Sequence, residues 1–430
     1  MPAHDAVALG LSLPLWSVVP FAGLLLSIAL FPLFASSLWA RHYAKVCLAF
    51  GLPVACYFLL RAPRELLHLV LEYASFILLL ASLFTISGGI LLRGTLRGSA
   101  GVNCAILAVG AVLANVFGTT GASMLLIRPL LRANAHRRRA AHVVVFFIFV
   151  VANIGGALTP IGDPPLLLGY LRGVPFFWTL RAMGLLWAVA CALVIGVFYL
   201  VDRRALALEA VAGTDGDPAR AAAPDTAAAT GEARVPLSIE GKINLPLLMV
   251  VIGAVFLPVP WREMAMVAAA VVSVWKTPVK VREENEFTWH PIEEVAILFA
   301  GIFATMIPAL LILKARGAGL GVLSPAHFFW ATGTMSGFLD NAPTYLVFFS
   351  LAQGVGGAQT VAGVSAPLLQ AISAGAVFMG ANTYIGNAPN FMVKAIAEEA
   401  GVRMPSFFGY MAWSCGILLP IFALLTLVFF

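Results

Sequence analysis

The sequence predicts an all-α polytopic membrane protein made of two inverted-topology repeats. Each repeat has three helices, a re-entrant hairpin, a broken helix and a final helix. Three observations predict this. The 430 residues are 61% apolar and 11% charged, with a mean hydropathy of +0.96. Soluble domains hold roughly 45–50% apolar and 25% charged residues, so this chain needs lipid as part of its solvent. Apolar runs near the ~20 residues that cross a bilayer recur along its length. Finally, the decapeptide Gly156–Pro165 (GALTPIGDPP) returns as Gly380–Pro389 (GANTYIGNAP), identical at six of ten positions, with an Asp facing an Asn.

The expected spans, in order, are about 15–40, 43–60, 66–92, 143–172 (broken), 182–201, 244–258, 263–275, 292–313, 368–400 (broken) and 406–430. The first has no Lys or Arg before it and is too long for the apolar region of a signal peptide, so it reads as a retained span. Two further segments, about 99–131 and 326–352, carry a polar tip midway: Gly118–Ser123 and Asp340–Thr344. Each reads as two half-length helices meeting at a turn. Residues 202–243 are rich in Ala, Gly, Asp and Pro, with few large apolar side chains, and read as a flexible cytoplasmic linker. The domain organisation is therefore 1–201, a first membrane repeat with a leading span; 202–243, the linker; and 244–430, a second, inverted repeat.

Charge distribution supports the inversion. With the arginine-rich loop 132–142 placed in the cytoplasm, 18 of the 26 Lys and Arg fall on that side and seven on the other, and Arg128 lies in a hairpin arm. Basic residues accumulate on the cytoplasmic side of membrane proteins. Both termini then face outward. The setting is a cytoplasmic (inner) membrane of bacterial type, crossed several times.

Several classes are excluded or disfavoured. The five cysteines are scattered singly in apolar stretches and read as small core residues rather than metal ligands. The basic residues sit in short loops beside apolar runs, which gives no ground for nucleic-acid binding. Gly162-Asp163 resembles part of the Gly-x-Gly-Asp element of membrane aspartyl proteases, but position 160 is Pro, and His-Glu-x-x-His and Gly-x-Ser-x-Gly do not occur. The chain reads as a non-enzyme without a cofactor.

The chemistry is expected where helices break. An unpaired backbone polar group in hydrocarbon costs several kcal/mol, so a break persists where it lines a wet cavity or binds something. Three prolines at 160, 164 and 165 forbid continuous helix, and Gly162 permits an unwound backbone. The freed carbonyls with Thr159 and Asp163 are hard oxygen ligands suited to Na⁺. The half-helix that starts near Pro165 aims its positive end back at the same point. The second copy offers Asn382, Thr383, Gly386 and Asn387. The hairpin tips supply the facing walls: Thr119, Thr120 and Ser123 at one, Asp340, Asn341 and Thr344 at the other. Asn153 opens the first broken segment. Asp163 and Asp340 are the acids that belong to repeated elements, and intramembrane acids mark function. Glu72 can pair with His68 one turn earlier, and Arg128 either snorkels toward the interface, the favoured reading, or balances an acid or an anionic substrate.

At these motifs the chain resembles the Ion Transporter superfamily, in its citrate-transporter-like and NhaD-type sodium/proton antiporter branch. The resemblance covers nearly everything except the linker. It rests on Gly118–Met124, Asn153–Pro165, Asp340–Thr344 and Gly380–Pro389. It implies a homodimeric carrier, two hairpins and two broken helices holding Na⁺ and substrate, and movement of a transport domain against a scaffold. By this resemblance one cation site uses Thr119, Thr120, Thr159 and Asp163, and the other Asp340, Asn341, Thr383 and Asn387. Dicarboxylate carriers of the superfamily show Ser-Asn-Thr at both tips, where this chain has Thr-Thr-Gly and Asp-Asn-Ala. Two functions stay open: sodium/proton antiport, with Na⁺ and H⁺ competing for the carboxylates, and Na⁺-coupled transport of citrate or another small carboxylate.

Overall fold

The computed structural model describes residues 3–94, 96–214, 238–316, 324–356 and 360–430. It is helical throughout apart from two short strand pairs, and eight helical stretches among the described residues are long and apolar enough to cross a membrane.

Helices α1 (Ala3–Ser12) and α2 (Val19–Phe34) lead into α3 (Ser36–Arg61) and α4 (Pro63–Ser87). The first expected span is thus interrupted at Ala35, which leaves helical geometry at φ −147°, ψ 51°. Pro32, inside α2, lacks the amide that would bond the preceding turn. Exposed Leu48, Leu52, Leu59 and Leu60 on α3 present an apolar face of the kind lipid covers.

The first polar-tipped segment is a helical hairpin. Helix α5 (Ala100–Ala133) reverses at Gly118, whose φ of 75° and ψ of 158° suit a residue without Cβ. Its base is closed by Gly98 N–H donating to Ala133 O (2.7 Å) and by reciprocal amide bonds between Asn103 and Asn134 (3.0 and 2.8 Å). A Cβ on Gly110 would come 3.0 Å from Leu126 of the returning arm, so glycine lets the arms meet. The turn is a single residue. Thr119, Thr120 and Ser123, expected on the tip, lie in the first turns of the returning helix.

The first broken helix follows: α6 (Ala141–Val150), a 3-10 turn at Ile154–Leu158, extended residues, then α7 (Pro164–Leu171). Helix α6 is apolar all round and buried from His142 to Val150, as an interior helix must be. Helix α8 (Trp178–Thr214) closes the first half.

Here the expected linker is corrected. Residues 202–214 continue α8, and Ser238–Glu240 form β2, antiparallel to β1 (Leu91–Arg93); residues 215–237 lie outside the described residues. The segment 205–212 is rich in Ala and Leu, which are strong helix formers. Asp202 is also fully buried, receiving Arg137 Nη1 at 2.6 Å and His142 Nε2 at 2.7 Å.

In the second half, α9 (Asn244–Ala254) ends short of its expected span while α10 (Trp261–Lys276) slightly exceeds its own, and a short α11 (Val279–Glu284) precedes α12 (His290–Arg316). The second hairpin is α13 (Pro325–Phe338) and α14 (Asn341–Val355), turning at Leu339 and Asp340. After a small β3 (Thr360–Val361) and β4 (Val364–Ser365) pair comes α15 (Ala366–Met379), buried from Ala371 onward. A 3-10 turn at Gly380–Asn382, α16 (Ala388–Glu399) and α17 (Phe407–Phe429) complete the chain. Helices α6 and α15, which lead into the two breaks, form the interior. Ser99, Ser324 and Ser406 cap α5, α13 and α17 by accepting from the amides of Val102, His327 and Gly409.

Segments assigned to one side by the charge count touch one another. Arg93 pairs with Glu240 and Glu284, Arg128 with Glu286, and the Arg139 amide with Glu209. Arg128 is therefore engaged with an acid rather than only snorkelling. Glu72 pairs with Arg172 (2.8 and 3.3 Å), not with His68. Cys47 and Cys191 are buried as expected of core residues, whereas Cys56 and Cys415 are exposed.

Candidate functional site

The two copies of the decapeptide adopt one backbone conformation. Thr159 and Thr383 are extended at φ/ψ −136°/155° and −137°/169°; Asp163 and Asn387 at −145°/145° and −154°/139°. Asp163 precedes Pro164, and a residue before proline is driven to extended geometry. In each copy the second glycine folds back onto the first. A Cβ on Gly162 would collide with the Gly156 carbonyl oxygen, and one on Gly386 would lie 2.5 Å from that of Gly380.

Each break is then fastened by its threonine. Thr159 Oγ1 donates to Asn115 O (2.7 Å) and accepts from the Gly162 amide (3.1 Å). Thr383 Oγ1 donates to Gly337 O (2.5 Å) and accepts from the Ile385 amide (3.2 Å). These hydroxyls are used on backbone rather than aimed at a ligand. Asn115, which lies outside the sequence motifs, ties hairpin to break. Its Oδ1 accepts from the Leu158 amide (2.8 Å) and its Nδ2 donates to Gly155 O (2.7 Å). A polar amide three residues before Gly118 in an apolar helix is the one signal that marks it in the sequence.

The four discontinuous elements meet on one side chain. Asp163, 1% exposed, accepts from Thr119 Oγ1 (2.7 Å) and Asn387 Nδ2 (3.1 Å) at Oδ1, and from Asn341 Nδ2 (2.6 Å) at Oδ2. One partner comes from the first hairpin, one from the second break and one from the second hairpin. The resemblance implied two separate clusters; the geometry instead joins Thr119 and Asp163 of one with Asn341 and Asn387 of the other. Asp163 and Asn387 are also the N-terminal caps of α7 and α16, so the positive ends of both half-helices converge where the carboxylate lies. Among the described residues, no Lys, Arg or His forms an ion pair with it. Three donors and two helix ends offset the desolvation of this charge.

The remaining candidates surround this point. Asp340 is half-buried and caps α14, accepting from the Ala342 amide (3.0 Å), while Thr344 Oγ1 donates to Asp340 O (2.9 Å). Buried Asn153 accepts at Oδ1 from Asn387 Nδ2 (3.2 Å). Thr120 is half-buried and takes no part in the Asp163 cluster. Ser123 Oγ, Asn382 Oδ1 and Asn341 Oδ1 are buried and have no hydrogen-bond partner among the described residues. Asn341 Oδ1 is the telling one: an acceptor on the same amide that holds Asp163. A carboxylate flanked by a free amide oxygen and a hydroxyl is the donor set a hard monovalent cation prefers.

A multi-pass helical membrane protein whose hairpin tips and helix breaks close on one buried carboxylate has the construction of a membrane transporter. A family model described as "Putative citrate transport" matches residues 10–430, and the chain belongs to that family. No curated protein matches it.

Proposed function

We propose that the protein is an ion-coupled secondary transporter in which Asp163 holds the coupling cation, and that it exchanges Na⁺ for H⁺. The observation that carries this is the convergence on Asp163. A carboxylate that is buried, unpaired with a base and held by donors from three other elements can take either a cation or a proton at the same oxygens, but not both. Thr119 and Asn341 fix its two oxygens. Asn341 Oδ1 completes the oxygen set when the amide turns its Nδ2 away from Asp163 and presents its oxygen to the cation. Protonation of Asp163 removes the charge and releases the cation, which couples the two fluxes in opposite directions. No bond is made or broken in the cargo, so the protein is a carrier and not an enzyme.

The two half-helices and two hairpins act as inverted counterparts, with the Arg137 side in the cytoplasm of a bacterial-type inner membrane. The resemblance to NhaD-type antiporters supports this branch of the superfamily and a homodimer. Proteoliposomes with a pH-sensitive dye, pulsed in turn with Na⁺, Li⁺ and citrate, test the reading: Na⁺ alone must release internal protons.

A second reading, Na⁺-coupled transport of citrate or a similar carboxylate, is supported by the family description and by the convergent helix ends. Once a cation neutralises Asp163, those ends are free to attract an anion. Labelled citrate accumulating only under a sodium gradient favours this reading over exchange.

A further inference from the structure

The two faces of the site are closed unequally. On the side of Arg172 the packing is tight. A Cβ on Gly169 of α7 would collide with the Tyr345 hydroxyl of α14, Tyr345 is buried, and Glu72 grips Arg172 where solvent hardly enters. On the side of the arginine-rich loop 132–142, the seam between the returning arm of α5 and the end of α4 is loose. Gly121 and Met124 of that arm line a small cavity there, together with Phe84, Ser87, Asn285 and Phe287. Gly121 stands two residues beyond Thr119, which bonds Asp163. Ser87 Oγ is buried and has no hydrogen-bond partner among the described residues. Atoms on a cavity wall lack the contacts that hold a packed interface together.

A short loop covers this cavity. Asn285 ties it to the end of α4, donating from Nδ2 to Gly88 O (3.1 Å) and Ile90 O (3.3 Å). Phe287 packs on Phe84 with ring centroids 5.3 Å apart, lies under the Arg282 guanidinium, and fills the space that a side chain at Gly88 would need. Between them Glu286 has a φ of 49°, a left-handed backbone that a residue with a Cβ adopts where its surroundings impose it. Its carboxylate reaches across to Arg128. Gly121, Met124 and Arg128, spaced by three and four, form one stripe along the returning arm. The loop is therefore fixed to α4 at several points, and to the hairpin by an ion pair open to water. Such a pair contributes little and exchanges readily for hydration.

We propose that residues 285–287 are a lid over the cytoplasmic mouth of the site, with Arg128–Glu286 as its clasp. When the clasp parts, the lid stays with α4 and the cavity joins the cytoplasm. The stripe from Arg128 to Gly121 then leads to the turn beside Thr119 and Asp163. The left-handed Glu286 aims its carboxylate at the hairpin while Phe287 seats against α4, so one strained residue serves both halves of the closure. The tighter packing on the Arg172 side makes the lid side the first to open.

The inference rests on the protein being a carrier with its site at Asp163, and not on which ions it exchanges. Its first test reads access. In inside-out vesicles, Met124→Cys is treated with a membrane-impermeant maleimide and its labelling followed by peptide mass. Adding Glu286→Gln should speed labelling by about two- to fivefold, the factor that an exposed ion pair supports, and Phe287→Ala should speed it further. The second test reads transport. Ser87→Cys with Gly121→Cys places Cβ atoms 3.3 Å apart, near the spacing of a disulfide. Oxidation of this pair should stop Na⁺-driven proton release and reductant restore it, with neither single variant responding. Labelling unchanged by both lid substitutions, or labelling from the opposite face alone, overturns the lid. Full transport by the bridged protein overturns it too, and if the reduced pair is inactive the labelling decides. Absence of Na⁺-driven proton release by the unaltered protein overturns the exchange reading instead and leaves the labelling test in force.

Discussion

Asn341 and Asp163 stand 178 residues apart in sequence, yet the amide of one donates to the carboxylate of the other at 2.6 Å. One belongs to the tip of the second hairpin and the other to the break of the first half. Closing this contact requires both halves to be folded around the same point. Hairpin and break are thereby one cage rather than two sites side by side.

Removing that amide should be felt in affinity before rate. Asn341→Ala deletes a charge-assisted hydrogen bond, worth about 1.5–3 kcal/mol, together with the free oxygen beside it. We expect the half-saturating Na⁺ concentration to rise by about tenfold or more, read from initial rates of proton release. Thr119→Val should act in the same direction.

Competition for one carboxylate has a simple signature. Lowering the pH should raise the half-saturating Na⁺ concentration by about tenfold per unit on the acid limb, with the maximal rate at saturating Na⁺ held. A maximal rate that falls with pH while the half-saturating concentration stays constant argues for separate cation and proton groups.

The backbone of the breaks is open to a direct test. A methyl at Gly162 meets the Gly156 carbonyl, whereas one at Gly101, at the start of α5, meets nothing within 4 Å. Gly162→Ala should lower stability by about 1–3 kcal/mol and abolish transport. Gly101→Ala should leave both intact in thermal melts and flux assays.

Two ion pairs away from the site, Glu72–Arg172 and Arg128–Glu286, differ in burial and should differ in consequence. Glu72 is 4% exposed at its side chain and takes Arg172 with both oxygens; Glu286, opposite Arg128, is 63% exposed. The two arginines are about equally shielded (16% and 15% exposed), so the contrast rests on the acids: Glu72→Gln breaks a pair whose carboxylate solvent does not reach, and we expect about 3–5 kcal/mol of destabilisation. Glu286→Gln should change stability by less than about 1 kcal/mol. Melting temperatures in detergent compare them.

The repeated decapeptide makes both breaks legible in the sequence, because Pro and Gly act locally: they dictate backbone wherever they stand. The hairpins are legible for the same reason, through Gly118 and the Asp340 cap. What joins Asp163 to Asn341 and Asn387 is not legible. Those pairs lie far apart in sequence, and no periodicity encodes which asparagine meets which. Composition misleads at the end of α8, where an alanine-rich stretch resembles a linker although Asp202 is locked to Arg137 and His142. Local spacing likewise offers His68 as the partner of Glu72, whereas the tertiary pairing with Arg172 leaves no trace in the sequence.

The claim on which the account turns is that Asp163 is the group shared by cation and proton. Asp163→Asn keeps the shape and the hydrogen-bonding reach of the side chain but removes its charge. The decisive measurement is Na⁺-driven proton release by this variant in proteoliposomes, beside the unaltered protein and after confirming an equal melting temperature. The account expects no release above that of empty liposomes at any pH. Release at the unaltered rate, with an unaltered pH profile, would contradict it.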